Sequence, residues 1–186
     1  MDVAAAGVAA ARTWRMRAVS CNLCGSDSSV EVYPSRLPDL ADVDIQEIFA
    51  CTSAAYGVCG PIVRCIACGL MYQNPQPDPQ TILSAYEEVA DLRYAEEREG
   101  RVHTFARSLD ELEAFVRPGR LLDVGSHLGV FIEVARDRGW DARGVEPSRW
   151  AADVARSRGL PTHCGTTAEL TDSSDSYDAV TLWDVI

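Results

Sequence analysis

The chain has 186 residues, 47% hydrophobic and 24% charged, which suits a globular protein with one domain and a small additional module. Its formal net charge of -11 argues against nucleic acid and anionic membranes as partners, because broad phosphate binding requires positive surface. No apolar run is long enough to span a bilayer, so we expect no membrane partner. Residues 1–18 begin Ala-rich and end in arginines, the reverse of a secretory signal peptide, and are predicted to form a disordered tail of a cytoplasmic protein.

Two short cysteine motifs of the same form occur in residues 19–75. Cys21 and Cys24 in the first motif, and Cys65 and Cys68 in the second, are separated by two residues and followed by glycine. The glycine permits the positive φ that such a tight turn needs. Four thiolates on two turns satisfy tetrahedral zinc with no open position, as in structural sites. Residues 19–75 are therefore predicted to be a zinc-ribbon module in which these four cysteines bind structural Zn²⁺.

The remaining cysteines of this region lack the paired spacing. Cys51 and Cys59 lie between the two motifs and are expected to be core residues, with Cys59 as a substitute ligand. For the four cysteines of the two motifs, the alternative is that they are buried or reactive cysteines without metal.

Linker helices are predicted over residues 76–117. Alternating prolines at residues 75–79 favour an extended linker, and Asp78 is expected to cap a helix. A second helical pattern runs from about Leu92 to Val116, with a break near Gly100. Its expected apolar face is formed by Phe105, Leu109, Leu112, Phe115 and Val116.

Residues 118–186 show strands and helices in alternation. Strands are predicted at 121–124, 141–145, 161–164 and 177–182, with helices after Gly129 and Ser148. This order is typical of an α/β protein with a doubly wound, Rossmann-like parallel sheet. Ligands of such sheets bind at the carboxyl ends of the strands.

Two acids end the first two of these strands, Asp123 and Glu146. The acid ending the second strand is well placed to accept hydrogen bonds from two vicinal ribose hydroxyls. The loop at residues 125–129 lacks the middle glycine of the dinucleotide motif, and His127 stands in its place. The loop therefore favours an amino-acid-bearing nucleoside over a pyrophosphate. The His127 side chain is expected to point to solvent, with a role in shaping the mouth of the pocket as the alternative.

Together these motifs resemble the class I S-adenosylmethionine-dependent methyltransferases, in particular a bacterial subgroup with an N-terminal zinc ribbon. The resemblance covers the Leu121–Gly129 stretch, the Gly144–Ser148 stretch and the Tyr177–Ile186 stretch. It implies S-adenosylmethionine as cofactor and a small-molecule or sugar-like methyl acceptor as partner. It implies no catalytic nucleophile, because the methyl group is transferred directly. The implied cofactor-binding residues are Asp123, Gly125, Ser126, Gly129, Glu146, Pro147, Thr166 and Asp184.

Some features depart from the family pattern. Thr167 and Glu169 lie near the segment that contacts the adenine edge, and Trp183 precedes Asp184 at the end of the fourth strand, where the methyl donor is expected. The family pattern continues with three more strands after Ile186, so we expect a partial sheet and an incomplete, truncated form that at best binds cofactor weakly. Two alternatives are a zinc-ribbon interaction module with a degenerate Rossmann remnant and a nicotinamide-dependent oxidoreductase. No oligomeric state is predicted.

Overall fold

The computed structural model describes residues 15–38, 48–53, 57–171, 176–183 and 185. Contacts divide the chain into two compact units. The described residues of the first unit fall within Met1–Phe49 and Ser53–Ala85, and those of the second within Ala50–Thr52 and Tyr86–Ile186. No helix in the described part of the chain has the length and apolar character needed to cross a membrane.

The first unit is built from short antiparallel strands. The strands are β1 (Met16–Arg17), β2 (Ser29–Tyr33), β3 (Ile62–Cys65), β4 (Met71–Gln73) and β5 (Gln76–Pro77). Strands β2, β3 and β4 form a three-stranded sheet in that order, and β1 pairs with β5. The β1–β5 pair joins part of the expected tail to part of the expected proline linker. Extended backbone flanking prolines can still pair at a sheet edge, which the proline pattern alone does not reveal.

Between residues 79 and 113 the described chain forms three helices: α1 (Pro79–Glu88), α2 (Leu92–Glu96) and α3 (Arg98–Glu113). The expected cap of α1 is confirmed, since Asp78 Oδ1 accepts from the amide of Gln80 at 2.9 Å. The second helical stretch breaks at Glu97 and not near Gly100, which lies inside α3. The prediction for Phe115 is also wrong: α3 ends before it, and its side chain is 90% exposed.

The second unit contains a four-stranded parallel sheet. Its strands are β6 (Arg120–Val124), β7 (Asp141–Glu146), β8 (Thr162–Cys164) and β9 (Ala179–Leu182). Helix α4 (Val130–Asp137) connects β6 to β7, helix α5 (Arg149–Ser157) connects β7 to β8, and a 3-10 turn spans Thr167–Glu169. The strand order is β8-β7-β6-β9, all parallel. The predicted α/β, Rossmann-like parallel sheet is confirmed.

The core of the second unit lies between the sheet and its helices. Phe131 and Ile132 of α4 are fully buried against Leu121 of β6. Leu109 of α3 is 0% exposed and belongs to the same core, and the Phe105 ring meets the Phe131 ring edge-on at 5.3 Å. Helix α3 is therefore part of the packed interior of this unit.

Candidate functional site

The carboxyl edge of the parallel sheet is the place where the predicted cofactor residues converge. The chain runs from β6 outward to β7 and β8, then returns to β9 on the other side of β6. The gap beside β6 is thus a topological switch point, the usual ligand position in open α/β sheets. The loops after β6, β7 and β8 all open at this edge because the strands are parallel.

The loop after β6 needs glycine at both ends. Gly125 has φ +71°, and its amide donates to the carbonyl of Val145 at 2.9 Å. Gly129 has φ +74° and begins α4, and a Cβ there would lie 2.6 Å from Leu160 Cδ1. Any other residue would strain the backbone at both positions. The turn at residues 125–129 is therefore held close to the ends of β6 and β7.

Glu146 is the acid at the end of β7, and its side chain joins two of these loops. Oε2 accepts from the amide of His127 at 2.8 Å, and Oε1 accepts from the amide of Ser148 at 2.7 Å. Burial raises the pKa of Glu146, while these two amides act against the rise. The residue is only 5% exposed. The carboxylate is thus fixed by backbone donors, with the second lone pair of each oxygen left for further donors.

Asp123 lies deeper, one residue before the end of β6. It is 1% exposed, and Oδ1 accepts from the Thr181 hydroxyl at 2.8 Å. Burial raises the pKa of Asp123 to about 7, Thr181 acts against this rise, and the nearby charge of Glu146 adds to it. Sequence reasoning missed Thr181. The parallel register that pairs it with Asp123 is the feature that could have identified it.

Ser126 occupies space that exists because residue 144 is a glycine. A Cβ at Gly144 would lie 2.6 Å from Ser126 Cβ and 2.5 Å from Ile132 Cδ1. Ser126 is 5% exposed, and its Oγ has no hydrogen-bond partner among the described residues. A buried hydroxyl without a partner costs free energy unless a ligand or water supplies one.

Two of the remaining predicted cofactor residues lie at the same edge, after β7 and β8. Pro147 is half-buried between Glu146 and Ser148. Thr166 follows β8 and donates through Oγ1 to Glu169 Oε1 at 3.1 Å. Asp184 lies outside the described residues.

The Trp183 side chain packs against two aromatic rings of the core. Its ring lies 5.1 Å from the Phe131 ring and 5.4 Å from the Phe105 ring. Trp183 therefore packs against the core of the second unit, which its position in the sequence does not reveal.

The expectation that His127 points to solvent is wrong. Its ring centroid lies 3.9 Å from that of Tyr94, and its Nδ1 is buried with no hydrogen-bond partner among the described residues. Burial lowers the pKa of His127 to about 4. Its backbone has φ +46°, in the left-handed region that residues other than glycine seldom adopt. The contact comes from Tyr94 of helix α2, and the sequence of the loop alone does not reveal it.

The four paired cysteines of the first unit form a cluster. Cys21 Sγ lies 3.5 Å from Cys68 Sγ, Cys24 Sγ lies 3.6 Å from Cys65 Sγ, and all four sulfurs lie within 4.8 Å of one another. Zinc–sulfur bonds of about 2.3 Å in a tetrahedron require sulfur separations of about 3.8 Å. The cluster therefore fits a tetrahedral zinc ion.

The turns that carry these cysteines have the expected conformation. Gly25 has φ +74° and Gly69 has φ +80°, and their amides donate to the carbonyls of Cys21 at 2.7 Å and Cys65 at 3.0 Å. The backbone amide of Cys68 is the main cause that lowers the pKa of Cys65 to about 6. A thiolate is the form that binds metal.

The two unpaired cysteines of this region take no part in the four-cysteine cluster. Cys59 is half-buried, whereas Cys51 is exposed, so the expectation that Cys51 is a core residue is wrong. Cys51 instead lies in the short segment Ala50–Thr52, which belongs to the second unit, a placement that its sequence spacing does not reveal.

Comparisons with known proteins found similar solved structures and a matching family. Similar solved structures include the S-adenosylmethionine-bound aminopentose methyltransferase CalS10 from Micromonospora echinaspora, with 28% identity, 52% of this chain and 44% of that chain covered, and a TM-score of 0.41. A possible histamine N-methyltransferase from Thermotoga maritima has 29% identity, coverage of 49% and 43%, and a TM-score of 0.37. The PH0226 protein from Pyrococcus horikoshii has 24% identity, coverage of 45% and 39%, and a TM-score of 0.40.

The extent of these matches differs between comparisons. The chain spans about two fifths of the length of the solved structures that it matches. The comparison with curated proteins returned no match. A sequence profile of the family described as "Methyltransferase domain" matches residues 94–186, which is half of the chain and includes the whole parallel sheet with its carboxyl-edge loops. The chain therefore belongs to the methyltransferase-domain family.

Proposed function

We propose that this chain binds S-adenosylmethionine at the carboxyl edge of the parallel sheet, for methyl transfer to a small-molecule or sugar-like acceptor. The observation that carries the proposal is the environment of Glu146. Its carboxylate is buried at the end of β7 and fixed by the amides of His127 and Ser148. Fixed carboxylate oxygens beside a glycine turn suit the two neighbouring hydroxyls of a ribose.

The other residues have complementary roles in this proposal. Gly125 and Gly129 let the backbone approach the cofactor closely, and the partnerless hydroxyl of Ser126 is a donor and acceptor for it. Asp123 adds negative potential toward the cofactor's cationic end. Pro147 and Thr166 are assigned to the adenine side. Asp184 keeps its sequence-based assignment.

The chemistry itself requires little from the protein. S-adenosylmethionine, when bound, would supply a sulfonium methyl group to a nucleophilic oxygen, nitrogen or carbon of the acceptor, with the methyl–sulfur bond broken and S-adenosylhomocysteine released. The side chains of this chain bind and orient, so no residue acts as a nucleophile. Cys21, Cys24, Cys65 and Cys68 would hold a structural Zn²⁺ in the ribbon of residues 19–75, because four thiolates leave no position for substrate.

Calorimetric titration of the folded chain with S-adenosylhomocysteine tests the proposal. Glu146→Ala removes charged acceptors worth about 1.5–3 kcal/mol per hydrogen bond, so we expect affinity to fall by at least about tenfold to a hundredfold. Asp153→Ala is the matched control, because Asp153 is an exposed acid on α5 whose side chain is 74% accessible. It should bind like the unmodified chain.

Two results would contradict the proposal. The first is equal binding by the Glu146→Ala variant and the unmodified chain, with circular dichroism showing both to be folded. The second is tighter binding of NAD than of S-adenosylhomocysteine, which would favour the oxidoreductase alternative.

A further inference from the structure

A second cluster of metal-binding side chains lies in the α/β unit and shares no residue with the four-cysteine cluster. Cys51, Asp91 and His127 each place one ligand atom within 4.8 Å of the others. They come from three separate segments: the 50–52 segment, the start of α2 and the loop after β6. Sulfur, carboxylate oxygen and imidazole nitrogen are all ligands that zinc accepts.

The carboxylate of Asp91 is rigidly oriented. Asp91 is 4% exposed, its Oδ1 accepts from the Thr52 hydroxyl at 2.6 Å, and its Oδ2 accepts from the Thr52 amide at 2.9 Å. The amide of Tyr94 also donates to Oδ1, at 3.2 Å. Supporting hydrogen bonds of this kind orient ligating carboxylates in metal sites.

The imidazole of His127 is held in place and has a free nitrogen. Its ring packs on Tyr94 at 3.9 Å and meets Trp150 edge-on at 6.2 Å. Nδ1 is buried and has no hydrogen-bond partner among the described residues. An imidazole nitrogen without a hydrogen-bond partner is available as a metal ligand.

We propose that Cys51, Asp91 and His127 bind a divalent transition metal ion, with zinc the best match to the ligand set. A metal ion would give the buried Nδ1 of His127 the partner that it lacks. It would also place a positive charge beside the buried carboxylate of Asp91. Cys51 is exposed, so the ion enters from solvent. Three protein ligands leave one position of a tetrahedron for water or another small ligand.

The position of His127 connects this site to the cofactor loop. Its amide donates to Glu146 Oε2 at 2.8 Å, so fixing the His127 ring also fixes the loop that carries this amide. This connection depends on the proposed function, whereas the metal site itself does not.

Zinc stoichiometry tests the proposal without any measurement of activity. The full chain is stripped of metal under reducing conditions, reloaded with Zn²⁺, desalted and analysed for zinc by elemental analysis. We expect two ions per chain. Cys51→Ser and His127→Asn should each retain one ion, because the four-cysteine cluster is intact in both. Asn tolerates the left-handed backbone of residue 127, so this variant keeps the loop conformation.

The matched control is Cys164→Ser, which removes a half-buried cysteine of the same unit that lies outside the cluster. It should retain both ions. Reloading with Co²⁺ gives a second measurement, since each of the two cluster variants should lose one set of visible bands and keep the strong tetrathiolate bands. One zinc ion in the unmodified chain would overturn the assignment. So would two ions in either cluster variant, or a loss of zinc in Cys164→Ser equal to that in Cys51→Ser.

Discussion

Replacing Gly144 of β7 with alanine should disturb the loop after β6, which carries Ser126. The new Cβ would contact Ser126 Oγ directly and would lie 2.6 Å from Ser126 Cβ and 2.5 Å from Ile132 Cδ1. Ile132 is fully buried, and Ser126 is 5% exposed, so neither side chain can move into solvent. The strand or the loop must therefore shift.

The size of the effect follows from overpacking. One added methyl group in a closely packed interior costs about 1–3 kcal/mol, and two buried neighbours place Gly144→Ala at about 2 kcal/mol or more. For a chain of this length about 2 kcal/mol corresponds to a melting temperature lower by about 4–8 °C. Urea denaturation followed by circular dichroism measures the loss, and affinity for S-adenosylhomocysteine should fall with it because Ser126 belongs to the proposed site.

Gly100→Ala is the matched control, with the opposite sign. Gly100 lies within α3, and an added Cβ would meet no atom within 4 Å. Alanine is favoured over glycine in helices by about 0.8–1 kcal/mol, so this variant should be more stable than the unmodified chain. Equal stability of Gly144→Ala and the unmodified chain, to within about 0.5 kcal/mol in the same assay, would refute the packing argument. So would equal losses in the two variants.

Three other changes have defined outcomes. Burial raises the pKa of Asp123 from 3.8 to about 7, so the folded state holds a proton that the unfolded state releases, and stability should fall as pH rises from about 4 to 7. Asp123→Asn should remove that fall and raise the free energy of unfolding by up to ~4 kcal/mol at pH 8, at about 1.36 kcal/mol per pKa unit. Identical urea midpoints of the unmodified chain at pH 4.5 and pH 8 would contradict this. Glu113→Ala leaves the indole of the buried Trp140 without its acceptor at 3.0 Å and should cost about 1–3 kcal/mol in thermal denaturation, whereas Glu113→Gln should cost less; equal losses would count against the hydrogen bond. Cys24→Ser should lose one bound zinc and the hydrogen-exchange protection of β3, while β6 stays protected; unchanged protection of β3 would show that the ribbon does not depend on metal.

Local sequence patterns were sufficient to predict the sheet and the cysteine turns. Strand β6 is a short apolar run with an acid one residue before its end, β7 ends in an acid, and the limits of both agree with the prediction to within one residue. The left-handed glycines after Cys24 and Cys68 follow from the turn that a paired motif requires. These features depend on neighbours in sequence, so a single sequence contains them.

Features that depend on distant contacts could not be predicted in the same way. His127 packs on Tyr94, which lies 33 residues earlier in the chain. Thr181 reaches Asp123 only because β9 lies beside β6 in the sheet. The break before α3 lies at Glu97, where the short capped helix α2 ends, and glycine at position 100 is tolerated within the helix. The periodicity of apolar residues alone does not show which of these two positions breaks the helix.

The anchoring of α3 also has a practical consequence for dissecting this protein. Arg138 donates to the carbonyl of Ala106 and forms ion pairs with Asp110 and Glu113. The turn before β7 is therefore bonded to the C-terminal half of α3. A fragment that begins at β6 would lack Phe105 and Leu109, and therefore one side of the core. The smallest fragment of the second unit that keeps this packing includes all of α3.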